Sequence, residues 1–396
     1  MMGMRSYCLL LGTGFLTFIL PCATGEDEGF PPAEGVFTPE QAAGLLGIEA
    51  GDFPGSKCYV ICVAVVGNEV RTIQAPHPRA GRGPVDIDWE VREAIIDYAV
   101  QGELDGLIEI RHVMPSGISS GLTLHRFATG DRVLLMLESP QGDDPAYVLA
   151  DNPCYKVRLA DTRPALCLDG SESIQSLISA EFAAALRDGD AQSMHEVMDS
   201  LAPALFSQDI RTALWDLAAS GDSWVSIHAV CALTKKRDKD AFNALTQRIE
   251  ENDYPPTAVS PLGYGLPVTS WILGALDLMG RERELGPAFI RLARSPDVAA
   301  RFRTRALTRL TSIPSDEKVP VYVDLLDDPD PSVQFHAVQG LYHAHCQDPF
   351  IEEAEGGYFP GTQREYEADR DTYLTFWRTW WENEGRERYA DLLDKK

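Results

Sequence analysis

Apolar and polar positions change rhythm along this chain. Between residues 56 and 168 the apolar residues form short runs or alternate with a period of two. Tyr59 to Val66 is almost wholly apolar and β-rich, and it meets a turn signal at Gly67-Asn68. Trp89 to Ile96 is a second apolar segment, which periodicity alone leaves as strand or helix. From Gly106 to His112, Leu107, Glu109 and Arg111 alternate with Ile108 and Ile110, the pattern of a strand with one dry face. Leu122–Phe127, Arg132–Leu137 and Tyr147–Leu149 follow, with glycine, proline or aspartate at each junction. Short strands punctuated in this way predict a small closed or half-closed β-barrel over residues 56–168.

From about residue 172 the period lengthens to that of helices, and an internal repeat emerges. Val225-Ser226-Ile227-His228-Ala229-Val230-Cys231-Ala232-Leu233 aligns with Val333-Gln334-Phe335-His336-Ala337-Val338-Gln339-Gly340-Leu341. Phe302 to Leu310 keeps the same apolar and alanine positions, and Thr269-Trp271-Gly274-Ala275-Leu276 is a fainter copy. The closing leucines Leu233, Leu276, Leu310 and Leu341 stand 43, 34 and 31 residues apart, which suits helix pairs with variable loops. A bulky residue, an alanine four on and a leucine four further place one face where a neighbouring helix can approach closely. Asp330-Pro331 reads as an N-cap followed by proline at the first helical position, after an acidic turn at Asp324–Asp328; Ser295-Pro296 is expected to do the same for the Phe302 copy. At the end of the chain, Tyr373, Phe376, Trp377, Trp380 and Trp381 share a broad face of a helix expected over 370–392. That face is either a cap sealing the last repeat or, for Tyr373, Trp377, Trp380 and Trp381, a docking surface.

Asp-Pro-Asp-Pro-Ser-Val followed by alanine and leucine resembles a HEAT repeat, and the resemblance covers roughly residues 200–350. In the first region, Cys58–Val66, Trp89-Glu90-Val91 with Gly102, and Gly130–Leu137 resemble the OB-like barrel of netrin and tissue-inhibitor type modules over roughly 100 residues. That family's protease inhibitors need an amino-terminal cysteine, whereas Cys58 lies far inside the chain, so the inhibitory activity is not implied. The two resemblances imply a multidomain α and β architecture: a small OB-like barrel over 56–168, then a HEAT-like α-solenoid over 172–396 with an aromatic cap.

Composition bounds the setting. The chain has 396 residues, 44% hydrophobic, with a formal net charge of −25. Such a field repels phosphate backbones, so nucleic acid is not an expected partner. Arg5, the apolar run Leu9–Leu20 and the small residues Ala23-Thr24-Gly25 read as a signal peptide over 1–25, too short for a comfortable membrane span. Cys22 offers a minor alternative, a lipid anchor. Residues 26–55 are acidic and rich in Pro and Gly, with Thr38-Pro39-Glu40-Gln41 able to cap a short helix. Export permits disulfides, and Cys58, Cys62, Cys154 and Cys167 are the candidates. Cys58 and Cys62 point the same way on a strand but lie roughly 13 Å apart by strand rise, so each would reach a different partner.

No catalytic, cofactor or metal site is expected. Gly117-Ile118-Ser119-Ser120-Gly121 matches the nucleophile-elbow spelling, but strand-like runs flank it where a helix should follow. His336 and His343 lie seven apart on one helix face, and His228 recurs at the His336 position where Arg305 stands in the middle copy. A slot that takes His or Arg reads as a polar helix face. Asp86, Asp88 and Glu90, and likewise Asp324, Asp327, Asp328 and Asp330, read as solvated carboxylates without a glycine-centred calcium loop. The expected function is that of an exported, non-enzymatic scaffold that holds a protein or an envelope polymer. Its rivals are an exported hydrolase with Asp86, Asp88 or His112 at the junction of the two regions, and a purely structural envelope component.

Overall fold

A computed structural model of the chain describes residues 59–79, 82–101, 104–113, 128–138, 146–149, 156–161, 164, 173–255, 267–279, 283–345 and 359–393. The expected leader, the 26–55 segment, the Gly117–Gly121 loop and the expected strand Leu122–Phe127 lie outside the described residues.

The first region is a mostly antiparallel sheet of β1 (Tyr59–Arg79), β2 (Arg82–Gln101), β3 (Leu107–Val113), β4 (Arg132–Glu138), β5 (Tyr147–Leu149) and β6 (Lys156–Arg158). β1 pairs with both β2 and β4, β2 with β3, and β4 with β5 and β6, all antiparallel. A short parallel pairing joins β3 to β5 through Ile110–Tyr147 and Arg111–Val148. The ambiguous Trp89–Ile96 segment is strand, the middle of β2. The Gly67-Asn68 turn is instead a register shift inside β1, between Val66 and Glu69. Gly67 is needed there for closeness: a Cβ would stand 2.9 Å from that of Glu93 and 3.2 Å from its carbonyl oxygen.

The unbroken apolar run of β1 follows from burial on both sides. Ile61 and Val63, with Leu134 and Met136 of β4, join the core that includes the helices. Their alternates Cys62, Ala64 and Val66 pack with Ala94, Ile110, Val133, Leu135 and Leu137 in a second apolar cluster.

Helices follow: α1 (Ile174–Asp188), α2 (Ala191–Ser200), α3 (Gln208–Ala218), α4 (Ser223–Lys235), α5 (Lys239–Glu250) and α6 (Val268–Leu278). Then come α7 (Gly286–Arg294), α8 (Ala300–Ser312), α9 (Lys318–Asp324), α10 (Pro331–His345), α11 (Gln363–Ala368) and α12 (Arg370–Trp380). The starts are local chemistry: the side chains of Ser173, Asp190, Ser207, Asp222 and Asp238 each accept a backbone N–H in the first turn they cap. Asp330 behaves as its sequence predicts, accepting from Ser332 N at 2.8 Å just before α10. Ser295 does not; it closes α7, and α8 starts after Ala299 with no side-chain cap.

The helix contacts fall between near neighbours. α2, α4, α6, α8, α10 and α12 each pack on the next in that order, and α5, α7 and α9 do likewise, while α3–α4, α4–α5, α7–α8 and α9–α10 join across. The four sequence copies are α4, α6, α8 and α10. Their matching positions are buried: Val225, Val268, Phe302 and Val333, then Ala229, Ile272, Ala306 and Ala337, then the closing leucines. The reason for Gly340 in the last copy is packing, since a Cβ would enter the ring of Tyr322 on α9.

The acidic turn is not wholly solvated. Asp328 is 7% exposed and pairs bidentately with Arg303, whose Nε donates to Ala293 O at 3.1 Å. Gln334 Nε2 donates to Asp328 O at 2.7 Å, and Tyr366 OH donates to Gln334 Oε1 at 2.8 Å, which ties α11 to α10.

Candidate functional site

One slot of the repeat gathers chemistry. Counting from the bulky first residue of each copy, the fourth position is His228 on α4, Trp271 on α6, Arg305 on α8 and His336 on α10. The reading of this slot as a polar outer face fails at its first two rungs: His228 is fully buried and Trp271 is 5% exposed. The His228 ring lies flat on the Trp271 indole, with centroids 4.2 Å apart and planes 11° apart. His195 of α2 stands beside both rings, its centroid 4.7 Å from that of His228 and 5.5 Å from that of Trp271, and Trp224 meets Trp271 edge-on.

Hydrogen bonds give the stack a direction. His228 Nε2 lies 2.9 Å from Asp199 Oδ1, and His228 Nδ1 lies 2.5 Å from His195 Nδ1. A carboxylate only accepts, so His228 donates through Nε2. When His228 is neutral its Nδ1 therefore accepts, and the His195 Nδ1–H donates to it. Asp199 and His195 are four apart on α2, so one helix face supplies both ends of this chain.

The electrostatics favour a neutral His195 and an ionised Asp199. His195 is pushed down to about 4, first by burial and then by His228, against the pull of Asp199 and Asp222. Burial raises Asp199, yet His228, Lys235 and His195 more than offset it, and the carboxyl lies below its ordinary range. One turn along α4 from His228, Cys231 is buried, and burial pushes its thiol up to about 12, far from a thiolate nucleophile. What this arrangement does is give the buried imidazole of His228 a partner for each ring nitrogen. Among the described residues no group of three His, Cys, Asp or Glu side chains is placed to hold a metal ion.

Further along the row the slot opens. Arg305 reaches Asp277 of α6 at 3.1 Å with 37% of its side chain exposed. Burial, with Arg305 second, lowers His336 to about 4. Arg301 and Thr308, a turn either side of Arg305, are exposed.

The junction of sheet and helices has its own network. Arg132 of β4 donates to both carboxylate oxygens of Glu181 on α1 at 2.7 and 2.6 Å, to Asp97 through Nε and Nη2 at 3.1 and 3.0 Å, and to Ala160 O at 3.3 Å. All five guanidinium N–H groups are thereby used. Burial lowers the Arg132 pKa, but Glu181 and Asp97 outweigh it and hold the group charged. Tyr98 OH adds a bond to Glu181 at 2.5 Å.

The residues singled out from sequence fare differently. Trp377 and Trp380 are fully buried and Trp381 is 7% exposed, with Tyr373 half-buried, so the tryptophans of the aromatic face are packed within the protein. The indoles meet edge-on at 5.5 Å, and Trp380 packs on His345 of α10 at 4.4 Å. Cys62 is a free thiol, because its side of β1 faces the second apolar cluster. Cys58, Cys154 and Cys167 lie outside the described residues. Asp86 and Asp88 fall on β2, and His112 of β3 stands opposite Glu90. Sequence reasoning missed His195, Asp199 and Arg132. Only the His195–Asp199 spacing carried a signal, and nothing along the chain announced Arg132 with Glu181. The chain matches no protein-family model, no curated protein and no solved structure.

Proposed function

We propose that this chain is an exported, non-enzymatic scaffold whose helices form a HEAT-like solenoid that grips a protein or an envelope polymer. The carrying observation is that the four sequence copies occupy successive places in one row, each contacting its neighbours in that row. Repeats of this kind build a surface as long as the stack itself. The gripping face is the outward side of α8 and α10, where Arg301, Arg305, Thr308, His336 and Gln339 are exposed or partly so. The first region is an OB-like barrel in this reading, supported by β1 pairing on both edges and by the parallel link between β3 and β5. Export rests on the Leu9–Leu20 run behind Arg5.

A photo-reactive side chain placed at Thr308 or Gln339 tests the reading against the same probe at Asn243, exposed on α5 in the other row. In an extracytoplasmic extract the first two yield a discrete adduct that Asn243 does not. The same pattern from all three positions, or no adduct from any, refutes the gripping face.

A further inference from the structure

The chain carries 60 acidic residues against 35 lysines and arginines, so a cation near the surface rarely lacks a carboxylate. Around α7, α8 and α9 several have one. Arg291 pairs with Glu250, Arg294 with Asp324, Arg305 with Asp277, Arg303 with Asp328, and Lys239 with Glu284. Two do not. Arg283, just before α7, makes no ion pair with a described residue, and the carboxylate beside it, Glu284, is taken by Lys239. Lys318, at the start of α9, donates to the carbonyls of Thr311 at 3.2 Å and Ile313 at 2.7 Å, and to no carboxylate.

Both line one cleft of about 470 Å³, with Ser315, Asp316, His343 and Tyr389 on its other walls. That space is within the range of small-molecule sites. The two carbonyl bonds fix the Lys318 ammonium at the end of α8, and its third donor remains for a ligand. Burial lowers Lys318, and burial with the Lys318 charge lowers His343, so the two groups share a partly desolvated space. Tyr389 is buried and stacked on Trp381 at 18° between planes, which makes the cap side of the cleft a fixed wall. With His343 neutral, two cations face the single carboxylate of Asp316.

We propose that this cleft is a binding site for a small oxyanion, the carboxylate or phosphate group of a low-molecular-weight ligand. Arg283 receives it through the planar fork of its guanidinium, Lys318 through its third N–H, and the Ser315 hydroxyl donates alongside. Asp316 limits the site to small anions, since a polyanion would meet both that carboxylate and the overall negative field.

The test is calorimetric titration of the full chain with sodium phosphate and with sodium succinate, each at matched ionic strength. One saturable site is expected for at least one of them. If phosphate alone binds, the ligand carries a phosphate; if succinate alone binds, it carries a carboxylate; binding of both assigns a general oxyanion site. Arg283→Gln, at an exposed position, weakens binding about tenfold, as expected for one lost charge-assisted pair. Arg291→Gln, on a neighbouring paired arginine, leaves binding unchanged. Absence of saturable binding by both anions, or equal losses in the two variants, overturns the proposal and leaves the gripping face of α8 and α10 untouched.

Discussion

The two ends of the α4–α10 row present the same repeat position in opposite ways. At α4 and α6 it is His228 and Trp271, sealed from water and continued backwards by His195. At α8 and α10 it is Arg305 and His336, both reaching the surface. The difference teaches that a position along a helix sets where a side chain points, while its neighbours decide what it meets. α4 packs on α2, α3, α5 and α6, and nearly all of its residues are buried. A polar group in such a place must bring its own partner, and the Asp199–His228–His195 chain is that partner set. At α8 the buried polar device is instead the Arg303–Asp328 pair.

Substitutions that strike each end separately break the comparison. Trp271→Ala removes the plate beneath His228 and costs about 3–5 kcal/mol, and Asp328→Ala strands the Arg303 guanidinium at a similar cost of about 3–5 kcal/mol, both read by urea unfolding. Acid sharpens it next. His195 is lowered to about 4 from an unfolded value near 6.5, so the unfolded chain binds the extra proton first. This contribution is fully present above pH 6.5 and is lost as the pH falls towards 4, with a total of about 3 kcal/mol. His195→Gln flattens that slope, whereas His336→Gln flattens it less because its ring is partly in water. Gly340→Ala pushes a methyl into Tyr322 and costs about 1–3 kcal/mol in the same unfolding assay. Arg305→Ala, the counterpart of the Trp271 change in the same slot, costs less than about 1 kcal/mol, since its pair with Asp277 is solvated.

The fold was legible where local rules suffice. Copies with alanine in the middle of the pattern stood out, and the α6 copy was faint because Ile272 replaces that alanine. Strand runs at Tyr59, Leu107, Arg132 and Tyr147 were legible through alternation or β-rich composition. What stayed hidden depends on partners distant in sequence. Arg132 and Glu181 each look like ordinary surface charges, and their pairing spans 49 residues. His195 and His228 meet across 33 residues. Asp328 looked like one carboxylate in an acidic turn because its guanidinium partner sits on another helix. The cap tryptophans announced an aromatic face, but periodicity does not distinguish a face that covers α10 from one left open.

Native-state hydrogen exchange of a Trp377→Ala variant tests most directly whether the helices are stacked in a row and not gathered about one centre. Trp377 lies on α12, at the end of the row. Stacking predicts that amides of α10 and α12 lose protection first, that α8 follows, and that α2 and α4 keep theirs. Equal and simultaneous loss of protection from Ile174 to Leu393 would contradict it.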